Sequence, residues 1–465
     1  MKGIWQKLER WLTKNREGRR NFAIMLLVAF AMGLFFAFLV ARVAQRQEEA
    51  KYNYFPITRI DDNTEDPALW GQNFPYQYAL YLKTADMVRT RYGGSEVLRR
   101  LPSASDPRLT VAQSKLEEDP RYKILWAGYS FAIDAREERG HAYMLTDQLY
   151  TQRQKAGQRG NCANCHASVY VVYKILGQGD IMAGFHKLNA LPYSEAKTYL
   201  KHPVACIDCH NPTDMSLRIT RPAFMLGIAA YMAKRGIKNY NVNQDASRRE
   251  MRTYVCAQCH VEYYFKGTEK TLTYPWDEGL KAEEILLYYD KVNHRDWLHA
   301  ETGAAVLKAQ HPEFEVYQQG IHARAGVTCV DCHMPFEKVG NIKITNHHVR
   351  SPYLNVRASC GHCHPLTEEE LKSRIETIQD RHNEMRQVAF EALINFIQDF
   401  KGKMKNLTPH QIEKAQTWQR KAQFFFDFIE AENSMGFHAP QESMRILMLS
   451  LEATRQGQLA IHTKP

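Results

Sequence analysis

Ten cysteines occur in the chain, and all ten fall in five Cys-x-x-Cys-His motifs: Cys162/Cys165/His166, Cys206/Cys209/His210, Cys256/Cys259/His260, Cys329/Cys332/His333 and Cys360/Cys363/His364. Two thiols three residues apart can add across the two vinyl groups of one haem, and the adjoining His is placed to ligate its iron. Paired Cys-x-x-Cys elements also hold zinc, and ten cysteines in an oxidising compartment could form five disulfides. Neither alternative requires a His directly after the second Cys, five times in five. The motifs therefore imply five covalently bound haem c groups. Their first cysteines lie 44, 50, 73 and 31 residues apart, so no fixed period points to a repeat array. An iron with two protein ligands can only pass electrons, whereas an open position can take a substrate. The fourteen histidines outside the motifs allow both arrangements.

Several elements must position these groups. Residues 22–41 carry no charge, about the length needed to cross a bilayer as a helix. Seven Lys/Arg and only two Glu precede them, which by the positive-inside rule keeps residues 1–21 in the cytoplasm and sends the rest across. A cleaved signal peptide is the rival, but Arg42 stands where a cleavage site wants a small residue. The expected organisation is a basic cytoplasmic segment (1–21), a transmembrane anchor or uncleaved signal (22–44), a haem-bearing region (45–365, with 46–61 as a polar tether) and a C-terminal helical region (366–465). In the last, Thr367 with Glu370 reads as a capping box, and Ala389, Ala392, Leu393, Phe396, Ile397 and Phe400 repeat at helical spacing. Thr408-Pro409 with Gln411 opens a second helix, striped by Trp418, Ala422, Phe425, Phe426 and Ile429. The expected fold is mainly α: a loop-rich multihaem body, long C-terminal helices and an N-terminal membrane helix. Half of the net charge of +10 sits before the apolar run, and no nucleic-acid motif accompanies it, so nucleic acid is excluded as a partner.

The segments between the motifs carry more. WGQNFPYQY (70–78), LEEDPRYKILWAGYSF (116–131), RGHAY (139–143), CHVEYYF (259–265) and KAQHPEFE (308–315) together resemble the pentahaem cytochrome c nitrite reductases, which form ammonia. The resemblance spans residues 70 to 445. It implies that the first haem is catalytic with an open face for nitrite, and that Arg153, Tyr263 and His311 form the distal pocket. A fixed guanidinium suits a bound anion, and a His and a phenol suit proton delivery. The resemblance further implies bis-His ligation of the other four irons. His141 would serve the third haem in sequence order and His348 the second, with the adjacent His347 as competitor. His438 and His322 divide the fourth and fifth haems, and the family pattern gives His438 to the fourth. The other eight histidines match no ligand position. The family also holds a Ca²⁺ ion beside the catalytic haem. Here Glu262 and Gln310 would supply side-chain oxygens, and Tyr263 and Lys308 backbone carbonyls.

Most members carry Lys where this chain has His166, which changes electron donation to the iron. The implied activity is six-electron reduction of nitrite to ammonia. Its implied setting is a single-pass protein of the cytoplasmic membrane with its catalytic region on the periplasmic side, a homodimer fed by a membrane quinol-oxidising cytochrome. A non-catalytic electron carrier, or a reductase of hydroxylamine or sulfite, has the same motifs and stays open at this stage.

Overall fold

A thiol pair at i and i+3 shares one face of a helical turn, and the following His lies on the next step of the same turn. In the computed structural model the motifs accordingly sit on short helices: Ala163–His166, Cys206–Cys209, the end of Arg248–Ala257, Cys329–His333 and Val356–Cys360. Two of these helices cap themselves. Thr328 and Asp331 form a capping box at the fourth motif, and Asp208 accepts from Ala205 N at 2.9 Å at the second. The structure describes residues 2–14, 16–52, 56–340 and 342–463.

Residues 1–59 and 60–465 form two separate compact units. In the first, Lys2–Lys14 and Arg16–Tyr52 are helical. Arg16–Gln47 is long and apolar enough to cross a membrane, with mean hydropathy 2.8 and none of its apolar window buried. The helix runs on to Tyr52, through part of the stretch expected as a tether. Nothing in residues 42–52 breaks it, since the stretch lacks both Gly and Pro.

The second unit is mainly α, as expected. Its haem-bearing part is short helices and turns, with four two-stranded antiparallel ribbons among the described residues. Three long helices follow: Glu368–Lys403, Pro409–Glu430 and Pro440–His462. Both expected capping boxes form, Thr367 with Glu370 and Thr408 with Gln411. On the first long helix Ala389, Leu393, Phe396, Ile397 and Phe400 are buried as the spacing predicts, while Ala392 is half-buried. The second is buried on every side from Ala422 to Ile429, not on one stripe. It packs against both other long helices and, through Asp427 and Gln423, against the body. Phe390 and Phe426 stack at 4.6 Å between ring centroids. Gly457 lets the third helix close on Phe396, because a Cβ there would collide with that ring.

Candidate haem and substrate site

None of the ten cysteines is joined to another in a disulfide, which removes the disulfide reading. The body instead holds a cavity of about 1430 Å³ to which every one of the five motifs contributes at least one residue. That is larger than the roughly 300–1,000 Å³ of an ordinary small-molecule pocket. The motif cysteines also meet each other: Cys165 contacts Cys259, and Cys256 contacts Cys329. The third motif is thus the hub of the set, touching the first and the fourth.

Two imidazoles sharing one iron, each about 2 Å from it, place their ring centres roughly 6 Å apart. Five pairs have that spacing, and His260 enters two of them, one with His141 and one, at 6.5 Å, with the expected pocket residue His311. His260 faces His141 at 6.3 Å, His333 faces His438 at 6.3 Å, His364 faces His322 at 6.2 Å, and His210 faces His347 at 6.4 Å. The structure therefore puts His347, not the expected His348, opposite His210. The chain leaves the strand Ile342–Thr345 still extended, so successive side chains point to opposite sides. His348 turns the other way, with its Nε2 3.6 Å from Asp86 Oδ2. His347 donates from Nδ1 to Thr345 O at 2.7 Å, which leaves its Nε2 lone pair for a metal. His166, His210 and His333 are oriented the same way, by Met144 O (3.3 Å), Met215 O (3.0 Å) and Arg350 O (3.1 Å). Burial keeps His141, His333 and His347 neutral, each pushed down to about 4, and a neutral imidazole is the ligating form. These pairings and the shared cavity fit five haems.

Among the described residues, His166 takes part in no ring pair of this kind. Burial, then Arg153, then His311 push its imidazole down to about 4, so both side chains lie close to it. Arg153 rests on the turn Gln152–Ala156, where Thr151 accepts from its backbone N and from its Nε at 3.2 Å. Its guanidinium lies 4.4 Å from the centre of the Phe131 ring, which fixes its direction. Tyr263 immediately precedes the ribbon Tyr264–Lys266/Thr271–Thr273. Its phenol is pushed well up by burial and by the neighbouring Cys165 and Cys162, with Arg153 acting the other way. His311 precedes the short helix Glu313–Tyr317. Burial lowers its pKa, but Glu138 and Glu313 outweigh burial and raise it above the ordinary value. Glu138 Oε1 is 3.4 Å from its Nδ1 without hydrogen-bond alignment. All three side chains line the cavity. An anion-binding guanidinium, a phenol and a protonatable imidazole therefore surround the one motif His that faces no second His.

Glu262 is completely buried, and its carboxylate accepts from Tyr289 OH (2.7 Å) and Gln310 N (2.6 Å). Burial pushes its pKa well up, and Glu315 and Asp296 push the same way. The Gln310 N–Glu262 bond joins the two expected segments, and within the second Gln310 Nε2 lies 3.1 Å from Lys308 O. The Lys308 ammonium itself is turned to Asp427, at 3.0 Å. A buried carboxylate beside two further acids, with amide and carbonyl oxygens at hand, fits a hard cation such as Ca²⁺.

Arg221 was not legible as a site residue. Wholly buried, it donates to Asp208 Oδ1 (2.7 Å), Asn164 O (2.7 Å) and Ala167 O (2.9 Å), stapling the first motif helix to the second. No local pattern marks an Arg whose partners lie 13, 54 and 57 residues upstream.

The model of the cytochrome c552 family matches residues 66–464. Cytochrome c-552 of Bacteroides fragilis is 34% identical over 466 residues, covering 98% of this chain and 87% of the relative. Cytochrome c-552 of Porphyromonas gingivalis is also 34% identical, covering 99% and 87%. Among solved structures, the catalytic subunit of the cytochrome c nitrite reductase of Desulfovibrio desulfuricans, described with two calcium sites, superposes with a TM-score of 0.74. It is 29% identical, with 87% of each chain covered.

Proposed function

The chain belongs to the cytochrome c552 family, and from that premise we propose that it reduces nitrite to ammonia by six electrons at the haem held by Cys162, Cys165 and His166. The observation that carries this is the convergence of Arg153, Tyr263 and His311 around the motif His without an opposing imidazole. When bound, that haem supplies an electron-rich iron with an open position. The remaining work falls to this chain's side chains. Arg153 holds the oxygens of the anion and polarises its N–O bonds. His311, its pKa raised by Glu138 and Glu313, delivers protons, and the neutral Tyr263 phenol donates a hydrogen bond. The pairs His260/His141, His333/His438, His364/His322 and His210/His347 would hold four further haems, which would supply electron relay.

Ca²⁺ would be held by the Glu262 and Gln310 side chains and the Tyr263 and Lys308 carbonyls. It would pin together the two segments that carry Tyr263 and His311. The apolar N-terminal helix would anchor the protein in the cytoplasmic membrane, catalytic region on the periplasmic side, where a quinol-oxidising cytochrome supplies electrons. The long helices, which expose Val388, Met448 and Leu459, would supply the homodimer contact.

The test is reduced-dye oxidation by purified protein with nitrite, with ammonium as the measured product. Ammonium should account for the dye consumed, and His311→Ala or Tyr263→Phe should each cost about ten-fold or more in turnover with haem content unchanged. Dye oxidation without ammonium, or wild-type rates in both variants, overturns the reading.

A further inference from the structure

Five of the histidines at the haem sites give their Nδ1 a hydrogen-bond partner, and the partners are of two kinds. His166, His210, His333 and His347 face backbone carbonyls, which are neutral. His438 faces the carboxylate of Glu432, Nδ1 to Oε1 at 2.6 Å. The same carboxylate accepts from Ser434 Oγ (2.7 Å) and Ser434 N (3.3 Å), and Ser434 Oγ accepts in turn from His438 N (3.0 Å). Glu432, Ser434 and His438 thus form a closed loop at the end of the second long helix. Gly320 lies hard against the His438 carbonyl, where a Cβ would collide, so the loop cannot slide.

Glu432 is only 1% exposed. Among the described residues no Lys or Arg forms an ion pair with it; its one ion-pair partner is His438. The neighbouring imidazole of His382 is pushed down to about 4 by burial, so it brings no positive charge. A carboxylate taken out of water needs a compensating charge. The group positioned to supply it is the iron reached through His438, whose ferric haem is one unit more positive than its ferrous haem.

We propose that Glu432 is a redox-positioning residue: it makes the haem ligated by His333 and His438 harder to reduce than the haem ligated by His210 and His347. A carboxylate on the outer nitrogen makes a ligating imidazole a stronger donor, and hydrogen bonding around the ligands is one of the levers that set haem potential. Both effects favour the oxidised iron. At the motif ligand the two haems are alike, since His333 and His210 are each tied to a backbone carbonyl at about the same distance. Of these two haems, the one with neutral partners would be reduced first and the carboxylate-bonded one after it. The inference rests on the pairing of His333 with His438 on one iron, not on the identity of the substrate.

Glu432→Gln keeps an acceptor oxygen for His438 and removes only the charge. In the five-haem protein, a potentiometric titration followed by electron paramagnetic resonance should show one low-spin haem moving up by about 60 mV or more, a ten-fold change in its one-electron equilibrium. The other four should hold their potentials, and Glu432→Asp should move the same haem by less than half as much. Unmoved potentials, a downward shift, or conversion of one haem to high spin in Glu432→Gln would overturn the proposal, the last by making Glu432 a strut for ligation. His438→Met, run alongside, reads the pairing itself: it should alter the same signal that Glu432→Gln moves. A different signal would refute the pairing and leave the nitrite assay untouched.

Discussion

The haem-bearing body and the layer of three long helices lie in one unit, yet different material fills their cores. In the layer the filling is side chains: Phe390 stacks on Phe426, Phe396 on Phe400, and Gly457 clears the space that Phe396 occupies. In the body the filling is divided between a cluster of buried side chains that includes Phe185, Phe224, Tyr274 and Trp276 and a cavity of about 1430 Å³ to which all five motifs contribute. A region that uses cofactors for part of its core has less need of long amphipathic helices. Its chain is free to place chemistry at short intervals, as at Arg153, Tyr263 and His311. The price is a cavity that side chains alone do not fill.

The sharpest way to break this contrast is to remove one cofactor from the centre and one from the edge. The third motif contacts the first through Cys165–Cys259 and the fourth through Cys256–Cys329, whereas Cys363 of the fifth is exposed. Cys256→Ala/Cys259→Ala should leave the body without a cooperative transition, as loss of a structural metal does in small metallo-domains. Cys360→Ala/Cys363→Ala should leave a folded four-haem protein. Hydrogen exchange in the first variant should keep residues 385–400 and 412–461 the better protected. If protection falls evenly across both regions, the layer has no core of its own.

The same contrast explains what the sequence made legible. The attachment sites were readable because haem chemistry demands adjacent residues, and the C-terminal helices because burial demands a period. Both capping boxes were readable because their partners lie three apart. The choice between His347 and His348 was not. Neighbours on an extended chain face opposite ways, and only the strand Ile342–Thr345 and the position of Asp86 determine which one meets His210. Arg221 and Glu432 escaped for a related reason: each acts on a partner fixed by tertiary structure, and neither has a local signature. The all-round burial of Ala422 to Ile429 followed from the helix lying between two others and the body, which periodicity within one helix does not encode.

A second test asks whether the layer behaves as an ordinary side-chain core. Phe396 is fully buried and packs against both Phe400 and the third long helix at Gly457. Phe396→Ala should cost about 3–5 kcal/mol in denaturant unfolding, the usual range for such a truncation. Haem content should remain five, and the nitrite-dependent signal of the catalytic haem should not change. Loss of haem in this variant would mean that the layer must form before attachment.

The smallest of the three effects concerns the seam between the regions. Glu430, at the end of the second long helix, is buried between Arg386 of the first long helix and Lys115 of the body, whose Nζ lies 3.5 Å from Glu430 Oε1. Arg386 also donates to the body's Tyr122 OH at 2.9 Å. Burial alone would raise the Glu430 pKa. Arg386, Lys115 and the Tyr122 hydroxyl outweigh burial and hold it down at about 2, against an ordinary 4.5. A carboxyl depressed by folding stabilises the native state above its unfolded pKa, and that stabilisation is lost as pH falls toward the folded one. The seam should therefore be at full strength above pH 4.5 and weaken toward pH 2, by about 3 kcal/mol at 1.36 kcal/mol per unit. Other carboxyls titrate in the same window, so the measurement is a difference between wild type and Glu430→Gln across it. The variant should be the less stable at pH 7, because Arg386 and Lys115 lose their shared counter-charge, and the gap should close as pH falls. A gap that stays constant with pH would show that the carboxylate charge does not hold the two regions together, leaving apolar packing to do so.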